Sequence, residues 1–257
     1  MRSSRWIFTA ATGAAALITG LYAQEQKKEP LAFEVASIKP TRATDQRGII
    51  RPMPGNQAYT GTNVTLQMMM TIAYSVTDRQ ISGAPGWVAT DRFDIEAKAA
   101  RPGTVDELHD MLANLLEERF KLKVRRETKE QAVWNLVVDK GGAKLATHSP
   151  EDINYPPIRM AARGELQAQN VKMDYFAFFL SRSLDRKVID KTGLPARYDL
   201  RLRFRPDMPP DAAGAEQFRD VPDIFTAVRE QLGLKLESGR GPVEYLVVEK
   251  VEKLTEN

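Results

Sequence analysis

Asp190-Lys191-Thr192-Gly193 is the stretch whose residue types most invite chemistry. An aspartate in such a string can accept a phosphoryl group, and Lys-Thr-Gly lines the site of serine acylases. Phosphoryl transfer of that kind needs transmembrane and nucleotide-binding domains. Serine acylation needs an upstream Ser-x-x-Lys to supply nucleophile and base, and the chain has none. The two histidines, His109 and His148, are far apart, and there is no cysteine and no HExxH, so a zinc or iron site is not expected. His148 stands beside Ser149, but no G-x-S-x-G elbow accompanies them, and sequence neighbours rarely face each other. No Gly-rich phosphate cradle appears. No cofactor is expected. Among the acids, Asp94 and Asp199 are the pair most suited to carboxylate chemistry, because they recur at matching places.

That recurrence is the main message of the sequence. Asn63 to Ile95 and Asn170 to Leu200 say nearly the same thing at an offset of about 107. Asn63-Val64 falls on Asn170-Val171, Asp78-Arg79 on Asp185-Arg186, and Gly86 on Gly193. Phe93-Asp94-Ile95 falls on Tyr198-Asp199-Leu200 two residues out of register. Against Asp190 to Gly193 stands Gly83-Ala84-Pro85-Gly86, which keeps the glycine and loses the acid and the lysine. A structural turn with positive φ at Gly86 and Gly193 therefore explains the string better than catalysis. Each Asp-Arg pair lies just past a helix end, where an arginine can satisfy terminal carbonyls.

The elements around these residues can be read in order. Phe33 to Ile38 predicts a strand ended by Pro40, Thr41 to Gly55 a loop, and Gln57 to Thr62 a strand. A helix is predicted from Thr65 to Ser75, with Leu66, Met69, Met70 and Ala73 on one face. Met173, Phe176, Ala177 and Leu180 occupy the same places in the second copy. A short apolar segment, a glycine turn and a strand (Arg92 to Lys98; Tyr198 to Phe204) follow in each. The next helix opens on the capping box Thr104/Glu107 and buries Leu108, Met111, Leu112 and Leu115. Its counterpart is expected to be capped by Asp220, with Pro222 in the first turn. Leu122 to Val124 with Val133 to Lys140, and Leu234 to Leu236 with Val243 to Lys250, read as hairpins closing each copy. Arg205 to Arg219, rich in Pro, Ala, Asp and Gly, has no counterpart and is expected to be a mobile insertion.

Both first helices are apolar beyond their core face. Met68, Tyr74, Tyr175, Phe178 and Phe179 are the candidate interaction surface.

The 257 residues, 42% apolar and 28% charged, suit a globular protein with a sizeable core. Arg2 and Arg5 followed by the apolar Trp6 to Leu21 predict a signal segment cleaved near Ala23, with an uncleaved anchor as the rival. Its removal takes the net charge from +3 to +1, since two arginines and no acid are lost. So weak a charge leaves no electrostatic footprint for nucleic acid. The absence of cysteine rules out lipoprotein acylation and disulfides, and no later run is long enough to span a bilayer.

Five strings resemble one known family: FEVASIKP, QISGAPGWVATDRFDIEAKA, MLANLLEERFKLKVRRETKEQAVWNLVV, VIDKTGLPARYDLRLRF and IFTAVREQLGLKLESGRGPVEYLVVEKVEKLTEN. Together they are similar to the uncharacterised soil-associated bacterial protein family, over residue 32 to the C-terminus. The resemblance implies an exported protein of soil bacteria with no established activity, and it supplies no catalytic residues to carry over. In order of elements alone, each copy is also similar to the N-terminal domains of secretins and TonB-dependent receptors.

The expected fold is α+β: two tandem related half-domains, each a small, mostly antiparallel sheet packed by two helices. The boundaries are 1–23 for the signal, 24–140 for the first repeat, 141–157 for a linker and 158–257 for the second repeat, with its insertion at 205–219. The expected role is a non-catalytic, periplasmic or extracellular module binding a protein, peptide or glycan of the cell envelope. The alternatives are a hydrolase using Asp94 or Asp199, and an assembly domain of a secretion or receptor complex.

Overall fold

The computed structural model describes residues 31–42, 48–53, 57–148, 158–209 and 211–254. The expected signal 1–23, the tether 24–30, Ser149 and the 149–157 part of the linker lie outside the described residues.

The first repeat contains β1 (Val35–Pro40), β2 (Ile49–Pro52), β3 (Ala58–Thr65), α1 (Leu66–Ala73), β4 (Ile81–Ser82), α2 (Trp87–Thr90), β5 (Arg92–Lys98), α3 (Val105–Phe120) and β6 (Lys123–Val138). The second contains β7 (Ala146–Thr147), β8 (Ile158–Ala162), β9 (Glu165–Val171), α4 (Met173–Ser183), β10 (Val188–Asp190), β11 (Tyr198–Arg203), α5 (Ile224–Leu232) and β12 (Leu234–Lys250). Each repeat has its own four-stranded antiparallel sheet, β1-β5-β3-β2 and β7-β11-β9-β8, of the same topology. The α+β class and its small, mostly antiparallel sheets are as expected. Strand β2 was not, since it lies inside the stretch read as loop. It is a short edge strand paired only with β3, a place where the terminal Pro52 removes no needed donor.

The helices form where the apolar stripes predict them. Leu66, Met69, Met70 and Ala73 are the buried face of α1, and the Thr65 hydroxyl caps it by accepting from the Met68 N–H. Helix α3 opens on the Thr104/Glu107 capping box, which satisfies two otherwise orphaned donors reciprocally. Helix α5 corrects an expectation: Asp223, not Asp220, caps it, accepting from the Phe225 and Thr226 N–H groups. Pro222 stands before the cap, outside the helix.

The duplicated Asn, Asp and Arg turn out to be a backbone device. Asn63 (φ 58°) and Asn170 (φ 54°) adopt the left-handed conformation that asparagine tolerates better than most residues. Each sits by a register break between the two central strands. The Asp94 carboxylate accepts from Asn63 N–H and Asp199 from Asn170 N–H, both at 2.9 Å. Arg92 and Arg197 donate to the carbonyls of the same two asparagines, at 3.2 and 3.1 Å. One acid and one arginine thus satisfy both polar groups that the bulge removes from the ladder.

The closing hairpins do not exist. Strands β6 and β12 are each continuous and pair antiparallel with one another, from Leu234↔Val138 through Gly241↔Gln131 to Val248↔Val124. The middle of β6, Arg125 to Ala132, has no residue suited to a chain reversal. In β12 the turn-like Gly239 and Gly241 serve close approach instead. A Cβ at Gly239 would lie 2.4 Å from the Asn135 amide nitrogen, and one at Gly241 2.8 Å from Ile189 Cδ1. The exchange extends to the short strands: β10 pairs parallel with β6 of the other repeat, and β4 with β12, giving a central sheet β10-β6-β12-β4.

Two cores result, each crossed by the other repeat's long strand. Val248 packs with Leu116, Phe120 and the rest of the first core, while Leu136 packs with Phe176, Leu180 and Val228 in the second. Arg79 adds a polar link by donating to the Leu184 carbonyl at the C-terminus of α4, so for Arg79 the expected capping is made across repeats, whereas Arg186 instead pairs with Asp185 and covers the Trp134 ring.

Candidate functional site

A concavity of about 1350 Å³ lies in the second repeat between the β8–β9 turn, α4, the start of α5 and the insertion. Gly164 (φ 73°) sets that turn tightly against the insertion. A Cβ there would meet the Phe204 carbonyl at 2.5 Å and the Phe218 ring at 2.9 Å. The Phe204 N–H donates to the Gly164 carbonyl and the Arg205 N–H to that of Pro222, closing the insertion at its base. Within the stretch expected to be mobile, the 3₁₀ turn Ala215–Phe218 buries Phe218 at 6% exposure.

The groove is amphipathic. Met160 (48% exposed) and Phe225 (37% exposed), two of the few large hydrophobic residues left exposed, both line it, along with Phe179 and Met208. Phe225 is held edge-on to Trp134 at 4.9 Å, and the Arg186 guanidinium covers that indole at 5.1 Å. The Trp134 N–H donates to Asp185, which helps hold that carboxyl below its usual range. Four arginines border the groove. Arg219 is paired with Glu216, and Arg205 lies near Asp223, whose carboxyl is held low first by the Thr226 N–H. Arg163 and Arg182 make no ion pair among the described residues. Guanidinium groups beside exposed rings suit a carboxylate-bearing ligand with apolar anchors.

A second, smaller cavity of about 200 Å³ lies between the repeats, lined by Ser75, Asp106, Lys172, Tyr175, Phe178 and Lys187 among others. Ser75 (φ 52°) occupies the left-handed position that closes α1, with Ser75 N–H donating to the Ile72 carbonyl and Val76 N–H to that of Thr71. Its hydroxyl is 3.3 Å from His109 Nδ1, and His109 Nε2 is buried without a partner. Burial pushes the His109 pKa down to about 4, against a weaker opposing pull from Asp106. Lys187 lies over the Phe178 ring at 5.8 Å, and its pKa is lowered by burial.

The structure distributes the candidate surface residues over several places. Tyr175 and the 7%-exposed Phe178 line the inter-repeat cavity, and Phe179 lines the groove. Met68 borders a separate shallow hollow at α1. Tyr74 lies under the Arg126 guanidinium, its hydroxyl buried without a partner and its pKa pushed up to about 12 by burial and then by Glu117. The turn glycines divide. Gly193 has the expected positive φ of 66°, but Gly86 is helical at −55° and precedes α2, a helix too short to leave a periodic signal. The left-handed glycine of the first repeat is Gly83, where a Cβ would sit 2.9 Å from the Val248 carbonyl. Asp190 accepts from the N–H and hydroxyl of Thr192, forming a self-contained turn. His148 lies 2.7 Å from Asp199. No group of three metal-binding side chains occurs among the described residues, and no described helix is long and apolar enough to cross a membrane.

Sequence reading missed Met160, Arg163, Arg182 and Phe225 as a group, and Ser75 with Lys187. The lone signal for the first set is the unmatched insertion, which had to cover something.

No curated protein and no solved structure matches the chain. Residues 67–251 match the family described as protein of unknown function DUF3738, a span reaching from α1 to the end of the long ribbon. The span begins after β3 and takes in the rest of the first repeat, the second repeat, the groove's lining and the inter-repeat cavity, well over half of the chain, and so the chain belongs to the DUF3738 family.

Proposed function

We propose that the chain is an exported, non-catalytic binding module of the cell envelope whose groove in the second repeat holds an acidic peptide segment with aromatic or aliphatic anchors. The observation that carries this reading is the meeting of Met160 and Phe225, exposed, with Arg163 and Arg182, which make no ion pair among the described residues, in one groove of about 1350 Å³. That volume exceeds the usual small-molecule range of about 300–1,000 Å³ and suits several peptide residues. Commitment of Asp94 and Asp199 to backbone N–H groups weighs against the carboxylate-hydrolase alternative. Export rests on Arg2, Arg5 and the apolar Trp6 to Leu21.

Fluorescence anisotropy with labelled dodecapeptides tests the reading. An acidic, Phe- and Leu-containing set should bind, and its Lys-substituted counterparts should not. Arg163→Glu with Arg182→Glu should weaken binding at least tenfold and shift preference to the basic set. Equal binding of both sets, or indifference to the double variant, rejects the groove as the site.

A further inference from the structure

Each repeat's own sheet ends on a short strand, β2 in the first and β8 in the second, and the two edges are finished differently. One contact fixes where the backbone groups of β8 point. Both polar groups of Arg203 are taken by the Gln231 side chain, the N–H at 2.9 Å and the carbonyl at 2.7 Å, so Arg203 faces away from β9. Hydrogen-bonded and non-bonded pairs alternate along an antiparallel ladder. Leu202 and Leu200 therefore bond to Leu166 and Ala168 of β9, and Glu165 and Gln167 turn to β8. Ile158 and Met160, opposite Ala168 and Leu166, are left with N–H and C=O groups directed off the sheet, where no described strand pairs with them.

The residue at the same place in the first repeat is Pro52. It stands opposite Tyr59, and Tyr59 corresponds to Leu166 by the spacing that separates Asn63 from Asn170. Proline offers no N–H to a further strand, a usual means of blunting a sheet edge. The second repeat has Met160 there, so its edge keeps both donor and acceptor. That open edge adjoins the groove. The Met160 side chain shares a sheet face with the buried Leu166, and it lines the groove together with Phe179 and Arg182 of α4. No acid occurs from Ile158 to Arg163, and neither Arg163 nor Arg182 makes an ion pair among the described residues.

We propose that the groove takes its peptide as an added β-strand, whose main chain pairs with Ile158 and Met160 on the β8 edge and whose acidic residues meet Arg163 and Arg182. This mode rests on the reading of the groove as an acidic-peptide site. Main-chain bonds to the edge supply affinity whatever the sequence, and alternate side chains of the added strand turn toward Met160, Phe179 and Phe225. The unpaired guanidinium groups select acidic side chains among such strands. A second copy of the chain fits the edge less well, because pairing β8 with β8 gathers Arg159 and Arg163 of both copies on one short ribbon that holds no acid.

The test remakes the acidic, Phe- and Leu-containing dodecapeptide that binds most tightly, with one backbone nitrogen methylated at a time, and titrates each into the full chain. Methylation should weaken binding at least tenfold at alternate positions of the bound segment and less than threefold between them. Met160→Pro, which gives this edge the first repeat's residue, should weaken the unmethylated peptide at least tenfold and leave the melting temperature nearly unchanged, because no ladder bond is lost. Met160→Ala keeps the N–H and should bind at least threefold better than Met160→Pro. Peptide should also slow hydrogen exchange at the Met160 amide, while Arg159, already bonded to β9, changes little. The methylation pattern and the exchange decide the matter even if Met160→Pro fails to fold. Uniform tolerance of methylation, or wild-type binding by Met160→Pro, overturns strand addition; the groove reading then survives if Arg163→Glu with Arg182→Glu still weakens the peptide. No binding by any acidic dodecapeptide overturns both. A dimer of the full chain that Met160→Pro converts to monomer assigns the edge to a second copy and overturns the peptide strand.

Discussion

The two repeats agree where the backbone needs them to and differ where it does not. Both keep a left-handed asparagine clamped by an aspartate and an arginine, both keep an apolar stripe on the first helix, and both send one long strand into the other's core. They part at the cap of that helix, threonine in one and lysine in the other, and at Arg205 to Arg219, which the second repeat alone possesses. The shared parts carry hydrogen-bond satisfaction and packing, and a change there has no cheap substitute. The insertion walls the groove, and Lys172 borders an inter-repeat cavity that Asn170 and Arg197 of the shared clamp also line. Duplication followed by change at unconstrained positions gives one scaffold two different surfaces.

The comparison can be broken most severely at the ribbon. Leu136 of β6 and Leu246 of β12 occupy corresponding places and are both fully buried. Truncating either to alanine should cost about 2–5 kcal/mol, measured by chemical denaturation. If only one variant suffers, the two strands do not share the load as the ladder implies.

Acid should act on the first repeat next. The folded His109 pKa of about 4 lies below the unfolded value of about 6.5, so the unfolded chain binds the extra proton between them. Stability is therefore full above about pH 6.5 and falls as pH drops toward 4, by about 3 kcal/mol in all. His109→Gln should flatten that slope in urea titrations at successive pH values. An unchanged slope assigns the acid sensitivity elsewhere.

The smallest effect sharpens the comparison. Asp94→Ala should cost about 1 kcal/mol by stranding the Asn63 N–H, and Asp199→Ala about 2 kcal/mol because His148 also loses a partner. Equal losses, read from melting curves, would mean that His148 contributes nothing.

Much of this was legible in the residues. Period-3.6 stripes and the Thr104/Glu107 box located the long helices, and the recurrence of Asn63/Asn170 and Asp94/Asp199 marked positions the two repeats share, while the bulge itself and its arginines, Arg92 and Arg197, were not read from it. The ribbon was not legible. Leu234 to Leu236 and Val243 to Lys250 carry the same apolar pattern whether they fold on each other or run straight, and Gly239-Arg240-Gly241-Pro242 imitates a turn. The partner strand lies about a hundred residues away, from Leu234↔Val138 to Lys250↔Lys123, beyond any local signal. The groove was hidden for a different reason: Arg163 and Arg182 are ordinary surface arginines until the insertion is folded over them.

The β6–β12 ladder has a further consequence. Exchanging the two repeats maps the ladder onto itself, since the start of each strand faces the end of the other. A chain carrying one repeat would find the complement to its long strand in a second copy of itself, as an intertwined homodimer with a two-fold axis near Gln131 and Gly241. Joining two such copies end to end yields the present connectivity, and frees each copy to change without the other.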